Sequence, residues 1–456
     1  MAMAKEELEK RLARGNVAES DARVSTGNPA SLVLLPPESM PEAGGLLDLA
    51  YELNGAAQAL GANLPAPVKA AIGDLVRGMN CYYSNLIEGR VTYPVDIDRA
   101  LREERPAAAD AKRRDLQREA AAHIAVQGMI DRGEFDAIGT DTELVKRIHR
   151  EFYLLLPEDL HWTVDPATGA RQRIVPGEFR TGGVAVGNHH AVHPDSINGF
   201  MTHFSWGYAK GRVPARLSPI AALAAHHRLL WIHPFLDGNG RVSRLHTHAL
   251  FRRWGVGSEL WSVSRGFART KTDYYDLLAR ADYPRQDTAD GRGTLSDRGL
   301  AAFCSYGLRT ALEQIDFMGR LLEPRGLIER TRDFVTVEAR RFRAREARPD
   351  GLDHLREEAA PLLERLYLVG EVTRMEARQI IGGSESTARR ILKTLRDRHL
   401  IVSVDSHANF KPAFPLREMG LLFPGLLPPG IPMDTRDEPP PPESDDDGHG
   451  YNLPSP

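Results

Sequence analysis

His233-Pro234-Phe235-Leu236-Asp237-Gly238-Asn239-Gly240-Arg241-Val242-Ser243-Arg244 is the stretch on which the reading of this chain turns. A helical pattern opening at Ser218-Pro219, with Ile220, Leu223, Leu229 and Leu230 on its apolar side, leads up to it. That helix must stop near His233, because a proline disfavours helix at the residue before it. Gly238-Asn239-Gly240 tolerates positive φ, and a second helical run follows from Arg241 to Trp254, with a stop at Gly255. A tight turn feeding a helix N-terminus gathers backbone N–H groups and the positive end of the helix dipole into one concavity, which is a seat for phosphate.

The side chains around that turn sharpen the reading. Arg241 and Arg244 lie three apart and share one side of their helix. Cations in a first helical turn oppose the dipole, and a bound anion reverses that penalty. Asp237 is an odd neighbour for phosphate unless a hard divalent cation stands between them, as Mg²⁺ does when held by one carboxylate and substrate phosphates. His233 titrates near neutrality and is placed to take a proton from an attacking hydroxyl. A Gly-Asn-Gly turn alone reads as a plain connection between core helices. The histidine, aspartate and arginines at these offsets set this one apart.

The remainder of the chain bounds the class. Its 456 residues, 42% hydrophobic and 27% charged, suit a globular protein of several domains. No run of eighteen apolar residues predicts a membrane span. Met1-Ala2-Met3-Ala4-Lys5-Glu6-Glu7 has charge where a signal peptide needs an apolar core, and two cysteines build no disulfide framework. A cytoplasmic setting is expected. A net charge of −3 gives no global reason for polyanion binding.

Organisation follows from pattern shifts. Residues 1–32 read as a flexible N-terminus and 33–110 as a helical region whose second helix, about 67–89, opens at Pro67 and closes at Gly89. A helical core over 111–290, connecting helices over 291–356, a small unit over 357–418 and a disordered proline- and acid-rich tail over 419–456 complete the expectation. Asp141 is read as the cap of a helix carrying Leu144, Ile148 and Phe152. Arg180-Thr181-Gly182-Gly183-Val184-Ala185-Val186-Gly187 interrupts the helical pattern and suits a short extended flap or hairpin.

His-x-Phe-x-Asp-Gly-Asn-Gly-Arg-x-x-Arg resembles the motif of the Fic family of nucleotidyltransferases, and residues 233–244 match it without a departure. The resemblance covers roughly residues 33–290. It implies a mainly α fold: a Fic helical core with a short β-hairpin flap. It also implies that His233 is the general base and that Asp237 holds Mg²⁺. Gly238, Asn239 and Gly240 would cradle the phosphates of ATP, Arg241 and Arg244 would bind its outer phosphates, and Phe235 would anchor the loop. The implied reaction is transfer of AMP from ATP to a Ser, Thr or Tyr hydroxyl of a target protein, and of the chain itself.

Ser84-Asn85-Leu86-Ile87-Glu88-Gly89 ends the 67–89 helix with a carboxylate that opposes its dipole, so a cation from elsewhere would relieve Glu88, with Ser84 on the same face. The segment is similar to the family's inhibitory motif, which implies that Glu88 pairs with Arg244 and keeps ATP from seating productively. Val184, Ala185, Val186 and Gly187 resemble the family's target-docking flap. Asp273-Tyr274-Tyr275 resembles a stretch lining the adenine pocket, with Tyr275 the candidate contact. Several relatives carry asparagine where this chain has Asp282.

Residues 357–418 look like a winged helix-turn-helix, with Ser384 as N-cap of a recognition-like helix carrying Arg389, Arg390, Lys393, Arg396 and Arg398. Ten Lys and Arg against seven Asp and Glu over 359–418 permit DNA contact through 384–398 without demanding it. A protein-docking or homodimerising role is read equally. Three alternatives stand beside AMP transfer. One is a nucleotide-sensing, DNA-binding transcriptional regulator. Another is a Fic enzyme that transfers a different phosphate-containing group or removes AMP. The third is a metal hydrolase built on His226, His227, His233, His246 and His248, although no His-Glu-x-x-His pattern supports it.

Overall fold

The computed structural model describes residues 27–38, 40, 43–102, 111–165, 169–186, 189–348, 350–405 and 407–428. Most of the chain is helix. The first helices are α1 (Ala43–Ala59) and α2 (Ala66–Ile87), close to the predicted pair. Pro67 lies in the first turn of α2, where its missing N–H costs nothing, and Glu88 is the C-terminal cap. Next come α3 (Pro94–Leu101), α4 (Ala111–Asp131) and α5 (Asp141–Leu154). The cap of α5 is Thr140, whose Oγ1 accepts the Glu143 N–H. Asp141, predicted as that cap, is the first helical residue and is buried against Arg253 instead.

Two short antiparallel ribbons follow: β1 (Trp162–Val164) with β2 (Arg171–Arg173), and β3 (Ala185–Val186) with β4 (His189–His190). The first was not expected from the sequence. The second occupies the predicted flap. Then come α6 (Ile197–Gly207), α7 (Ser218–Ile232), α8 (Asn239–Arg253), α9 (Ser264–Arg269) and α10 (Lys271–Asp282). Two long helices, α11 (Asp297–Leu322) and α12 (Pro324–Ala344), lead to α13 (Ala360–Val369), α14 (Arg374–Ile381) and α15 (Glu385–Asp397). A last ribbon pairs β5 (Ile401–Val402) with β6 (Lys411–Pro412), before a short α16 (Met419–Leu422).

The centre of the molecule is α7. Residues 220–225 are Ile-Ala-Ala-Leu-Ala-Ala, all buried, and α1, α6, α8, α10 and α11 pack around it. A helix buried on every side has no solvent face to offer and becomes the hub. The hub holds its own C-terminal end, where His233 lies, on a fixed platform.

Several expected boundaries move. Leu32 is buried, and His203 Nε2 lies 2.9 Å from its carbonyl, so the ordered chain begins before 33; residues 1–26 are outside the described residues. Helix α11 is no mere connector, because it packs on α1 and α7. The tail does not begin at 419. Residues 416–428 fold back onto the N-terminal helices, with Met419, Leu422, Phe423 and Leu426 buried. Tyr83 donates to the Leu426 carbonyl at 3.0 Å, and Asp98 accepts the Leu416 and Arg417 N–H groups at 2.6 and 2.9 Å. The rest of the predicted tail, 429–456, is outside the described residues. In the 357–418 unit, Ser384 accepts the Thr387 N–H and caps α15. A Val372–Phe410 bridge ties the β5–β6 ribbon to the turn before α14.

Candidate functional site

The chain leaves α7 through His233, whose φ of 51° and ψ of 60° are left-handed, and re-enters helix at Asn239. Gly238, at φ 80°, makes the turn. The loop between is nailed down from inside. Phe235 is 0% exposed and stacks on the His149 ring at 3.9 Å. The Asn239 side chain clasps the Phe235 peptide, accepting its N–H at 2.9 Å and donating to its carbonyl at 2.8 Å. Asn239 therefore serves the loop with its side chain, and only its backbone N–H is left for an anion. The N–H groups opening α8 have no intrahelical partners.

His233 Nδ1 lies 3.2 Å from the Leu230 carbonyl, which only accepts, so that nitrogen carries the proton and Nε2 keeps its lone pair. Burial pushes the imidazole down to about 4, with His189 and Arg180 adding to the shift, so it is neutral at pH 7. Asp237 Oδ2 accepts the Tyr153 hydroxyl and stands 3.2 Å from Arg241 Nη2. Burial raises its carboxyl, but Arg241 and Tyr153 outweigh that and hold it below the usual range. The Asp237 side chain is still 40% exposed, so a ligand can reach it.

The two arginines separate. Arg244 Nε donates to Ser84 Oγ at 2.9 Å, and its Nη2 lies 2.5 Å from Glu88 Oε1. Burial favours the neutral form of Glu88, but Arg244 and then Arg241 keep its carboxyl below the ordinary range. Gly240 makes room for this: a Cβ there would come within 2.3 Å of Glu88 Oε1. Arg241 has a different set of partners. It is buried, with Nη1 2.8 Å from Glu119 and its guanidinium over the Phe152 ring.

Glu88, Gly240, Arg244, His233, Trp231, His189, Leu230, Tyr274, Tyr275, Leu278, His227 and Asp282 line one cleft of about 610 Å³, open solvent included. Gly240 brings the start of α8 into its lining, and Tyr275, Leu278 and Asp282 bring α10. Tyr275 also donates to the Ile87 carbonyl at 3.0 Å, tying α10 to the end of α2. Arg228 donates to His227 Nδ1, so His227 Nε2–H faces Asp282 at 3.0 Å.

At the flap, Ala185 pairs with His190 and Val186 with His189, and Val184 accepts the Ala191 N–H. Gly187 lies outside the described residues. Sequence reasoning missed what fixes this element: Arg180 donates to the His233, Gly182 and Val192 carbonyls, so flap and loop share one guanidinium. His189, Tyr153 and Glu119 were missed as well. Glu119 follows Arg113-Arg114-Asp115 and Arg118, a stretch that reads as a solvated helix face. Of the other histidines on these helices, His226 contacts Thr247 and the Tyr274 hydroxyl, and His248 contacts Asp131. Among the described residues no three His, Cys, Asp or Glu side chains group as a metal cage.

The fold and loop define a mainly helical protein in which a helix N-terminus, a neutral histidine and an exposed carboxylate belong to one turn. Residues 139–251 match the family model described as Fic/DOC family, so the chain contains a Fic domain there. Over 120 residues it is 37% identical to "Protein adenylyltransferase Fic" of Aedes aegypti, covering 26% of this chain and 21% of that protein. Over 226 residues it is 27% identical to the protein of the same name in Nematostella vectensis, covering 48% and 46%. The chain thus spans from about a fifth to about half of the length of these relatives. A crystal structure of a Fic family protein from Desulfovibrio desulfuricans G20 superposes with a TM-score of 0.45 at 17% identity, over 83% of this chain and 98% of that one. Among the described residues no helix is long and apolar enough to cross a membrane.

Proposed function

We propose that this chain transfers AMP from ATP to a Ser, Thr or Tyr hydroxyl of a protein target, and to itself, and that Glu88 restrains the reaction. The observation that carries the proposal is the His233 geometry: a neutral imidazole with Nδ1 spent and Nε2 open, lining the cleft into which Gly240 brings the start of α8. The relatives named adenylyltransferase support the same chemistry.

In this reading the phosphates lie against the N–H groups of Gly238, Asn239 and Gly240, with Arg244 for the outer phosphates. The base lies between Tyr275 and Leu278, toward Asp282. The target hydroxyl oxygen attacks the α-phosphorus as its proton passes to His233 Nε2. The bond to the β-phosphate oxygen breaks and pyrophosphate leaves. Positioning and charge neutralisation supply most of the rate, as phosphoryl-type transfers require. Asp237 fits a Mg²⁺ ligand, since one exposed carboxylate beside a phosphate nest is the donor set that ion takes. A bound Mg²⁺ would neutralise phosphate charge. Tyr153 and Arg241 would hold that carboxylate in place as a ligand. The edge of the flap at Val184, Ala185 and Val186 would register the target segment by main-chain pairing.

Glu88 occupies Arg244, the cation that the outer phosphates need, and this is the proposed restraint. The test is incubation with α-labelled and γ-labelled ATP plus Mg²⁺. α-Label is expected on the protein, abolished by His233→Ala; γ-label instead would mean a kinase and would end the proposal.

The 357–428 unit is proposed as a winged-helix docking module. Its DNA-binding face is thinner than its sequence suggests, because Arg398 is fully buried between Glu338 and Glu418. Arg389 and Lys393 have helical partners in Glu385 and Asp397. DNA contact would then rest on Arg390 and Arg396, and a salt-dependent shift of duplex DNA by the full chain, lost in the double alanine variant, would establish it.

A further inference from the structure

The buried carboxylate of Glu119, on α4, is shared by two guanidinium groups from different parts of the fold. Arg241 Nη1, from α8, approaches Oε2 at 2.8 Å. Arg90 Nη1 lies 2.5 Å from both oxygens. Arg90 directly follows Glu88-Gly89, and its backbone N–H returns to the Asn85 carbonyl at 2.9 Å, so its side chain reports where the end of α2 sits. The Glu119 side chain is 11% exposed, the Arg241 side chain 7% and the Arg90 side chain 42%. On the far side, Arg241 gives Asp237 only Nη2, at 3.2 Å.

We propose that Glu119 is a positioning residue for both states of this site: it draws Arg241 partly off Asp237, so that the aspartate stays open to a divalent cation, and it latches Arg90, so that Glu88 stays on Arg244. Without the Glu119 charge, Asp237 is the carboxylate that stays in hydrogen-bond contact with Arg241, which closes on it with both nitrogens, the geometry guanidinium–carboxylate pairs favour. The aspartate is then covered. Losing Arg90 acts differently. It frees the end of α2 and leaves the Arg241–Glu119 contact in place. The inference rests on the functional reading above and adds a residue that the recognised motifs do not contain.

The test measures ATP binding by calorimetry, with no turnover involved. In the Glu88→Gly background, Glu119→Gln is expected to weaken ATP binding at limiting Mg²⁺ by about ten- to a hundredfold, the usual cost of removing a group that orients a metal ligand. In EDTA the same change should do little, and Glu119→Asp, which keeps the charge, should recover most of the loss. Arg90→Ala should tighten ATP binding several-fold in the otherwise wild-type chain and change nothing once Glu88 is glycine. An equal loss with and without Mg²⁺ would mark Glu119 as merely structural and overturn the first half. No gain from Arg90→Ala would overturn the latch. If the Glu88→Gly protein binds no ATP, the functional reading falls, and this inference with it; if it binds ATP with the same Mg²⁺ dependence in both forms, this inference alone falls.

Discussion

Glu88 and Arg244 stand 156 residues apart in sequence and 2.5 Å apart in space, with Ser84 Oγ filling a second donor of the same guanidinium. The pair has an asymmetric cost. The Arg244 side chain is 2% exposed and Glu88 35%, so removing the glutamate strands a buried cation, whereas the glutamate by itself would find water. Glu88→Gly should therefore be less stable than wild type in a thermal melt and yet label itself faster, by on the order of tenfold, a typical coupling between sites. Mg-ATP should recover part of the lost stability, since it supplies the missing anion.

His233 predicts a pH profile. Burial holds its imidazole down to about 4, against an ordinary 6.5, and only the neutral form can take a proton. The acid limb that His233 sets in kcat/KM should then lie near 4, leaving the rate flat through pH 6 to 7. His233→Ala should cost about 10²- to 10⁴-fold, the usual share of a general base. A limb centred at 6.5 would mean that the side chain is more solvated than its Leu230 contact implies.

Asn239 should reveal itself through stability as much as through rate. Asn239→Ala strands a buried N–H and a buried carbonyl of Phe235, each at about 1–3 kcal/mol. Denaturant unfolding should show that loss, and ATP affinity should fall with it because the nest loses its shape. Asn239→Asp keeps the acceptor and loses the donor, so it should lie between.

Asp98 ties the returning C-terminal segment to α3, and burial pushes its carboxyl up to about 6 from 3.8. A folded-state value above the unfolded one means that the folded chain binds the proton first. Its contribution to stability is greatest below pH 4 and is lost as pH rises through about 6. Other carboxylates, held low by arginines, work in the opposite direction, so the measurement is a difference. Unfolding free energies of wild type minus Asp98→Asn should fall between pH 4 and pH 7 and stay level above it.

What the sequence made legible was local. Helix α2 could be read because Pro67 opens it and Gly89 closes it, and the 233–244 loop because its residue types sit at fixed offsets. The Glu88–Arg244 contact followed in part from physics, since a carboxylate at a helix C-terminus calls for a cation. The groups that hold these pieces in place were not legible. Glu119, Tyr153 and Arg180 act across 122, 84 and 53 residues, and nothing near them in sequence marks them. The Arg241–Glu119 contact was hidden for the same reason: the spacing of Arg241 from Arg244 says that they share a helix, but not that a carboxylate on α4 pairs with one of them. The β1–β2 ribbon escaped because three residues a side carry too little pattern.

The most direct measurement of the central claim is the intact mass of the purified Glu88→Gly chain after incubation with Mg-ATP, beside wild type and Glu88→Gly/His233→Ala. The account predicts a mass increase of whole AMP units on Glu88→Gly, little on wild type and none on the double variant. An increase of a single phosphate, or equal AMP loading of wild type and Glu88→Gly, would contradict it.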